Sequence, residues 1–200
     1  MGINLQKGQR ISLSKEAGAS LDRIYMGLGW GMKKTESKGF LGFGGGTKEV
    51  AVDLDASCLM FDAGGNLTDQ VWFRQLQSNC GSVQHSGDDR AGGGSADVEN
   101  ERITIDLNQV PSEVKSLIFT VNSFSGESFE GIPNAFCVVV DDKSSKEIAR
   151  FNLSLEGGHF TGLIMTKLYR HEGDWRVQAI GDQGEGRTFM DLLPALKPHL

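Results

Sequence analysis

The sequence has four prolines and three cysteines in 200 residues, and no apolar run in it approaches the length of a membrane span. Without about 18 consecutive apolar residues there is no candidate transmembrane helix, so direct membrane insertion is not expected. Cys58, Cys80 and Cys137 are odd in number and far apart. That argues against a disulfide framework and against a C-x-x-C zinc site, and the three are read as buried thiols. The segment Met1-Gly2-Ile3-Asn4-Leu5-Gln6-Lys7 lacks the basic, apolar and small-residue regions of a secretory signal, so a cytoplasmic location is expected. Positive charge is also short: 20 Lys and Arg against 26 Asp and Glu leave a net charge of −6. With no basic cluster, a nucleic-acid partner or an anionic lipid surface is disfavoured, and cations are the more natural ligands.

What is abundant is glycine, 27 residues, together with apolar residues in short alternating runs instead of helical stripes. The pattern predicts an all-β chain: one domain over residues 1–200, an antiparallel β-sandwich of about ten strands in two sheets, with a short C-terminal helix. The expected strands are Arg10–Ser14, Ile24–Gly29, Val50–Phe61, Gln70–Leu76, Ile103–Leu107, Leu117–Phe124, Ala135–Val140, Glu147–Leu153, Gly162–Tyr169 and Trp175–Ile180. Turn residues at Asp62–Asn66, Asp141–Ser145 and His171–Asp174 separate several of them. Phe189, Leu192, Leu193 and Leu196 have helical spacing across Thr188–Leu196, which Pro194 and Pro198 should weaken or end. Two segments fit no strand. Lys33–Lys48, with its run Gly39-Phe40-Leu41-Gly42-Phe43-Gly44-Gly45-Gly46, reads as a mobile loop whose apolar side chains are available to a partner. Gly87–Arg102 reads as a second, polar loop.

Strand alternation along Val50–Phe61 places Val50, Val52, Leu54, Ala56, Cys58 and Met60 on one face and Asp53, Asp55 and Ser57 on the other. Carboxylates two residues apart on one strand face lie about 6.8 Å apart at Cα and repel unless they are hydrated or share a cation. The following loop adds Asp88, Asp89, Asp97, Glu99, Asn100 and Glu101 on a glycine-rich backbone. Calcium takes six to eight oxygen ligands and accepts backbone carbonyls among them, so such a loop can fold around it. The spacing is not that of an EF-hand. A solvated acidic loop is the plainer alternative.

Other patterns carry less. Gly42–Lys48 has the Thr-Lys order reversed for a phosphate loop, and Gly27-Leu28-Gly29-Trp30-Gly31 lacks the glycine spacing of a dinucleotide fingerprint. The four histidines show no paired metal spacing, and no G-x-S-x-G elbow is present, so nucleophilic catalysis has no support.

Several ordered motifs together resemble the TerD family of tellurium-resistance and general stress proteins, and within it the TerZ branch. The motifs are Gly27-Leu28-Gly29-Trp30, Asp53-Leu54-Asp55-Ala56-Ser57, His85-Ser86-Gly87-Asp88, Phe119-Thr120-Val121-Asn122-Ser123-Phe124, Asn134-Ala135-Phe136-Cys137 and Tyr169-Arg170-His171-Glu172-Gly173-Asp174-Trp175. The resemblance implies a calcium-binding β-sandwich, with Asp53, Asp55 and Asp88 as leading Ca2+ ligands and Asp89 where the family has Asn. It also implies action with other Ter-family proteins, in a membrane-associated complex through TerC. The sequence departs from the family at Gly31, where Asp is usual, and along Gly92–Val98, where Gly93, Ser95, Ala96 and Val98 interrupt its acidic pattern. Asp97, Glu99, Asn100 and Glu101 stand where they can compensate. Fewer charged ligands imply weaker binding. The expectation is a protein that is not an enzyme. The rivals are a small carbohydrate-active or other hydrolytic β-sandwich using paired carboxylates, which needs one carboxyl of raised pKa beside a groove, and a calcium-dependent lipid-binding module, which the lack of basic clusters opposes.

Overall fold

The computed structural model describes residues 2–37, 46–93, 97–153 and 159–200. One sheet is built from β1 (Ile3–Asn4), β3 (Arg23–Gly29), β8 (Val83–His85), β9 (Glu101–Asp106), β11 (Phe136–Asp141) and β12 (Lys146–Asn152), in the order β1-β12-β11-β3-β9-β8. The other carries β2 (Arg10–Ser12), β6 (Leu54–Asp62), β7 (Leu67–Val71), β10 (Val114–Ser123), β13 (Gly162–His171) and β14 (Asp174–Gly184), in the order β2-β14-β13-β10-β6-β7. Within these sheets the pairings are antiparallel except β1 on β12, which is parallel. The sandwich architecture expected from the alternating runs is present, with two six-stranded sheets where about ten strands were foreseen.

The core lies between the sheets. Leu54, Ala56, Cys58 and Met60 of β6 enter it, with Met26 and Leu28 of β3, Ile103 and Ile105 of β9, and Phe119 and Val121 of β10. The Leu, Ile, Val, Met and Phe side chains among them each contribute about 1.5–3 kcal/mol by leaving water. Cys58 and Cys137 are buried as expected, but Cys80 is exposed. The opposite face of β6 is polar only over its first half. Beyond Ser57, Leu59 and Phe61 are covered by α2 (Phe189–Leu196), whose Phe189, Leu192 and Leu196 pack there with Ile118, Ile164 and Ile180. Asp191 Oδ2 accepts the N–H groups of Arg187 and Thr188 at 2.9 and 3.1 Å, which secures the first turn. Pro194 lies inside this helix; three buried apolar side chains offset the hydrogen bond it forgoes.

Several boundaries differ from the sequence reading for local reasons. The flanks of the Lys33–Lys48 segment are strands, β4 (Lys33–Ser37) and β5 (Gly46–Val50), paired antiparallel; its aromatic tip, 38–45, lies outside the described residues. Val50–Phe61 is two strands, because residues 51–53 bond elsewhere: Trp30 Nε1 donates to Val52 O at 2.9 Å, and Phe124 N–H donates to Asp53 O at 3.1 Å. Arg10–Ser14 turns after Ser12 into α1 (Leu13–Ala17), where Ser12 Oγ caps Lys15 N–H and Gly18 ends the helix at φ 77°. Gln70–Leu76 ends as a strand at Val71, since Trp72 and Gln75 exchange backbone hydrogen bonds in a tight turn. Glu101 leaves the expected loop to become the first residue of β9. At one end of the sandwich these features gather the start of β6, the end of β10, the turn after β8 and the start of β9.

Candidate metal centre

Asp53 precedes β6, Asp55 is its second residue, and Asp88 follows β8. The three bring carboxylate oxygens within 4.8 Å of one another. Asp55 is 5% exposed, and among the described residues Asp53 Oδ1 and Asp55 Oδ2 are buried with no hydrogen-bond partner. Desolvation, then the negative charges of Glu101, Asp53 and Asp88, push the Asp55 carboxyl up to about 8. Asp53 is raised by the same causes in weaker form, burial first and Asp88 next. Among the described residues, one cation faces the group. Arg90 Nε bonds Asp88 Oδ2 at 2.9 Å, but its side chain is 81% exposed and is free to swing into solvent.

Glu101 supports the cluster from the opposite sheet. It is completely buried, and its carboxylate accepts Ala56 N–H at 2.8 Å and Asp89 N–H at 3.1 Å. It thus ties β9 to β6 and holds the Asp88 turn. His85 accepts Gly87 N–H at Nδ1, 3.0 Å, so its ring proton is on Nε2, which faces Glu101 Oε2 at 3.5 Å. The imidazole orients the turn, and its buried Nε2, carrying the proton, presents no lone pair to a cation.

The remaining candidates from the sequence are not drawn into the cluster. Asp89 is held below the usual carboxylate range despite partial burial, because Ala91 N–H, the Asn100 amide and Gly92 N–H all donate to it. Asn100 is likewise engaged: its Oδ1 accepts Trp30 N–H at 3.0 Å, and its Nδ2 donates to Asp89 Oδ2 and Gly93 O. Both build the loop that the cluster rests on. Asp97 is exposed beside Arg150 at 3.6 Å, and Glu99 pairs with Arg102 and approaches the Tyr25 hydroxyl. The sequence reading missed Asn122, which is directly opposite Asp55 in the β10–β6 ladder and 1% exposed. Its signal was present in Ile118, Thr120 and Asn122, where the face of β10 shared with Asp55 turns from apolar to polar.

The donor chemistry suits a hard divalent cation. The three side chains offer only oxygen atoms, two of those oxygens are buried without a proton donor, and the carboxylates repel until a charge is shared among them. The residues therefore fit calcium, with Asp53, Asp55 and Asp88 as the groups that would hold it.

Comparison with known proteins bears on the same fold. The TerD domain model matches residues 1–193. The chain belongs to the TerD family. It is 45% identical to the tellurium resistance protein TerZ of Serratia marcescens, over 95% of this chain and 94% of that one. It is 37% identical to stress response protein SCP2 of Bacillus subtilis, over 96% and 98% of the two chains. Among solved structures, a Streptomyces coelicolor A3(2) homologue of the telluride resistance protein TerD superposes with TM-score 0.67 at 17% identity, covering 87% of this chain and 96% of its own. That likeness supports the sandwich fold. The chain is thus a TerD-family protein of the tellurium-resistance and stress-response type, and no helix among its described residues is long and apolar enough to cross a membrane.

Proposed function

We propose that this TerD-family protein binds calcium through Asp53, Asp55 and Asp88 and works as an ion-ordered interaction module. The observation that carries the reading is the pair of buried, unpartnered carboxylate oxygens on Asp53 and Asp55, within reach of Asp88. Bound calcium would offset most of the negative charge of the three carboxylates and fix the Asp88 turn, which Glu101, Asp89 and Asn100 connect to both sheets. The ordering has a route to the surface. Asp53 O accepts the Phe124 N–H, and exposed Phe124 packs edge-on against Phe73, which does the same with Trp72. A partner would read this aromatic patch beside the ion. Other Ter-family proteins are the partners the family resemblance supports, in a complex reaching the membrane through TerC, with this chain on the cytoplasmic side.

The same raised Asp55 carboxyl is what a hydrolase would use as a general acid, so the enzyme question has its own assay: glycoside panels incubated with the calcium-free protein, with no turnover expected. The binding reading is tested by thermal unfolding in calcium, magnesium and chelator. At about 100-fold excess over Kd, a ligand of the folded state adds about 2.7 kcal/mol, or about 5–10 °C for a chain of this size. Calcium should raise Tm by that order, magnesium by less, and Asp53→Asn/Asp55→Asn should abolish the response. Equal Tm values in calcium and chelator contradict the reading.

A further inference from the structure

Resting on the calcium reading above, the geometry points to Asn122 as an additional ligand: its carboxamide oxygen and Asp55 Oδ2 face one cation seated deeper than the exposed Asp88. Asn122 and Asp55 are directly opposed across β10 and β6, so they share a face with Cβ atoms about 4.5–5.5 Å apart. Asn122 is 1% exposed. The orientation of its amide is fixed from behind: Nδ2 donates to Gly186 O at 3.2 Å, and a carbonyl there requires the NH2 group, not the oxygen. Gly162 leaves only enough room for that NH2, since a Cβ added to it would lie 2.7 Å from Asn122 Nδ2. The oxygen is therefore turned away from Gly186. Among the described residues Oδ1 is buried with no hydrogen-bond partner, like Asp55 Oδ2 across the ladder.

Two buried oxygens on paired residues, neither with a hydrogen-bond partner among the described residues, form an incomplete site once Asp55 is ionised. A cation completes it. A neutral carboxamide oxygen adds coordination without adding repulsion, which favours calcium, with its six to eight oxygen ligands, over magnesium, which demands a near-ideal octahedron and keeps several waters. Asn122 would thus supply part of the coordination lost where the acidic loop departs from the family pattern.

The test is a calcium titration against a chromophoric chelator at pH 7.5, with magnesium in parallel, on the full chain and on Asn122→Leu and Asn122→Asp. Folding of each variant is checked by circular dichroism. Removing the oxygen in Asn122→Leu should weaken calcium by at least about tenfold and magnesium by less. Asn122→Asp keeps an oxygen and adds charge while losing the donor to Gly186, so it should bind calcium as tightly as the parent or more tightly. A purely structural Asn122 predicts the reverse, with Asn122→Asp the worse binder because it sets an acceptor against the Gly186 carbonyl. That result, or an Asn122→Leu protein that binds as the parent does, overturns the assignment while leaving the three-aspartate site standing. A parent protein that binds no calcium overturns both.

Discussion

Replacing Glu101 with Ala should cost several times the stability of an ordinary surface substitution. The perturbation strands two backbone donors, Ala56 N–H and Asp89 N–H, which lie 2.8 and 3.1 Å from the Glu101 oxygens in a site with no solvent access to that side chain. A buried donor left without its acceptor costs about 1–3 kcal/mol, giving roughly 2–6 kcal/mol for the pair, and a cavity adds to it. One effect opposes this. The Glu101 charge repels Asp55, so removing it relieves the folded state, and more strongly where Asp55 is ionised. A net loss of about 3 kcal/mol near pH 6 follows, shrinking toward pH 9. Urea unfolding in chelator, followed by tryptophan fluorescence at both pH values, measures it, with an unchanged slope confirming that the unfolded state is not altered. A loss below about 1 kcal/mol at pH 6 would refute the view that Glu101 joins the sheets at this end.

The remaining predictions concern neighbouring parts of the same architecture. Without calcium, the raised Asp55 should make stability greatest near and below its ordinary carboxylate value of 3.8 and erode it as pH climbs through about 8. Its acid form is favoured by folding, so chelator-treated protein should lose Tm between pH 5 and 9, and calcium should restore it most at the upper end. Gly92→Ala places a Cβ 2.1 Å from Trp30 Nε1 at φ +62°, threatening the Trp30–Val52 hydrogen bond; a loss of about 1–3 kcal/mol with a shifted tryptophan emission is expected. Leu192→Ala, in the cluster under α2, should cost about 2–5 kcal/mol in urea unfolding without changing calcium affinity. Arg90→Ala removes a cation that competes for Asp88 and should tighten calcium severalfold, as read by chelator competition.

Much of this arrangement was legible in the sequence because it follows a period of two. Leu54, Ala56, Cys58 and Met60 had to share a face, and Asp55 had to oppose them. The same rule could not foresee that Leu59 and Phe61, on the Asp55 side, would be buried, since their cover is a helix more than a hundred residues away. The acidic loop was legible only as composition. With no period to sort its carboxylates, nothing in the spacing distinguished Asp88, which reaches the cluster, from Asp89, which caps its own turn, or Glu99, which pairs with Arg102. Glu101 read as a loop carboxylate able to compensate in the ion site, and it is the most buried of them, because two backbone donors at the sheet ends need an acceptor there. Asn122 escaped notice because the turn from apolar to polar along Ile118, Thr120 and Asn122 points to Asp55 only once the register sets the two strands side by side.

Calorimetric calcium titration of metal-stripped protein at pH 7, in two buffers of different ionisation enthalpy, tests the central claim most directly. An Asp55 carboxyl held at about 8 is mostly protonated at pH 7, so a cation that takes its oxygen must expel that proton. The account predicts calcium binding with release of roughly 0.5–1 proton at pH 7, falling toward zero at pH 10, and none of it in Asp53→Asn/Asp55→Asn. Absence of binding heat, or binding that releases no proton at pH 7, would contradict it.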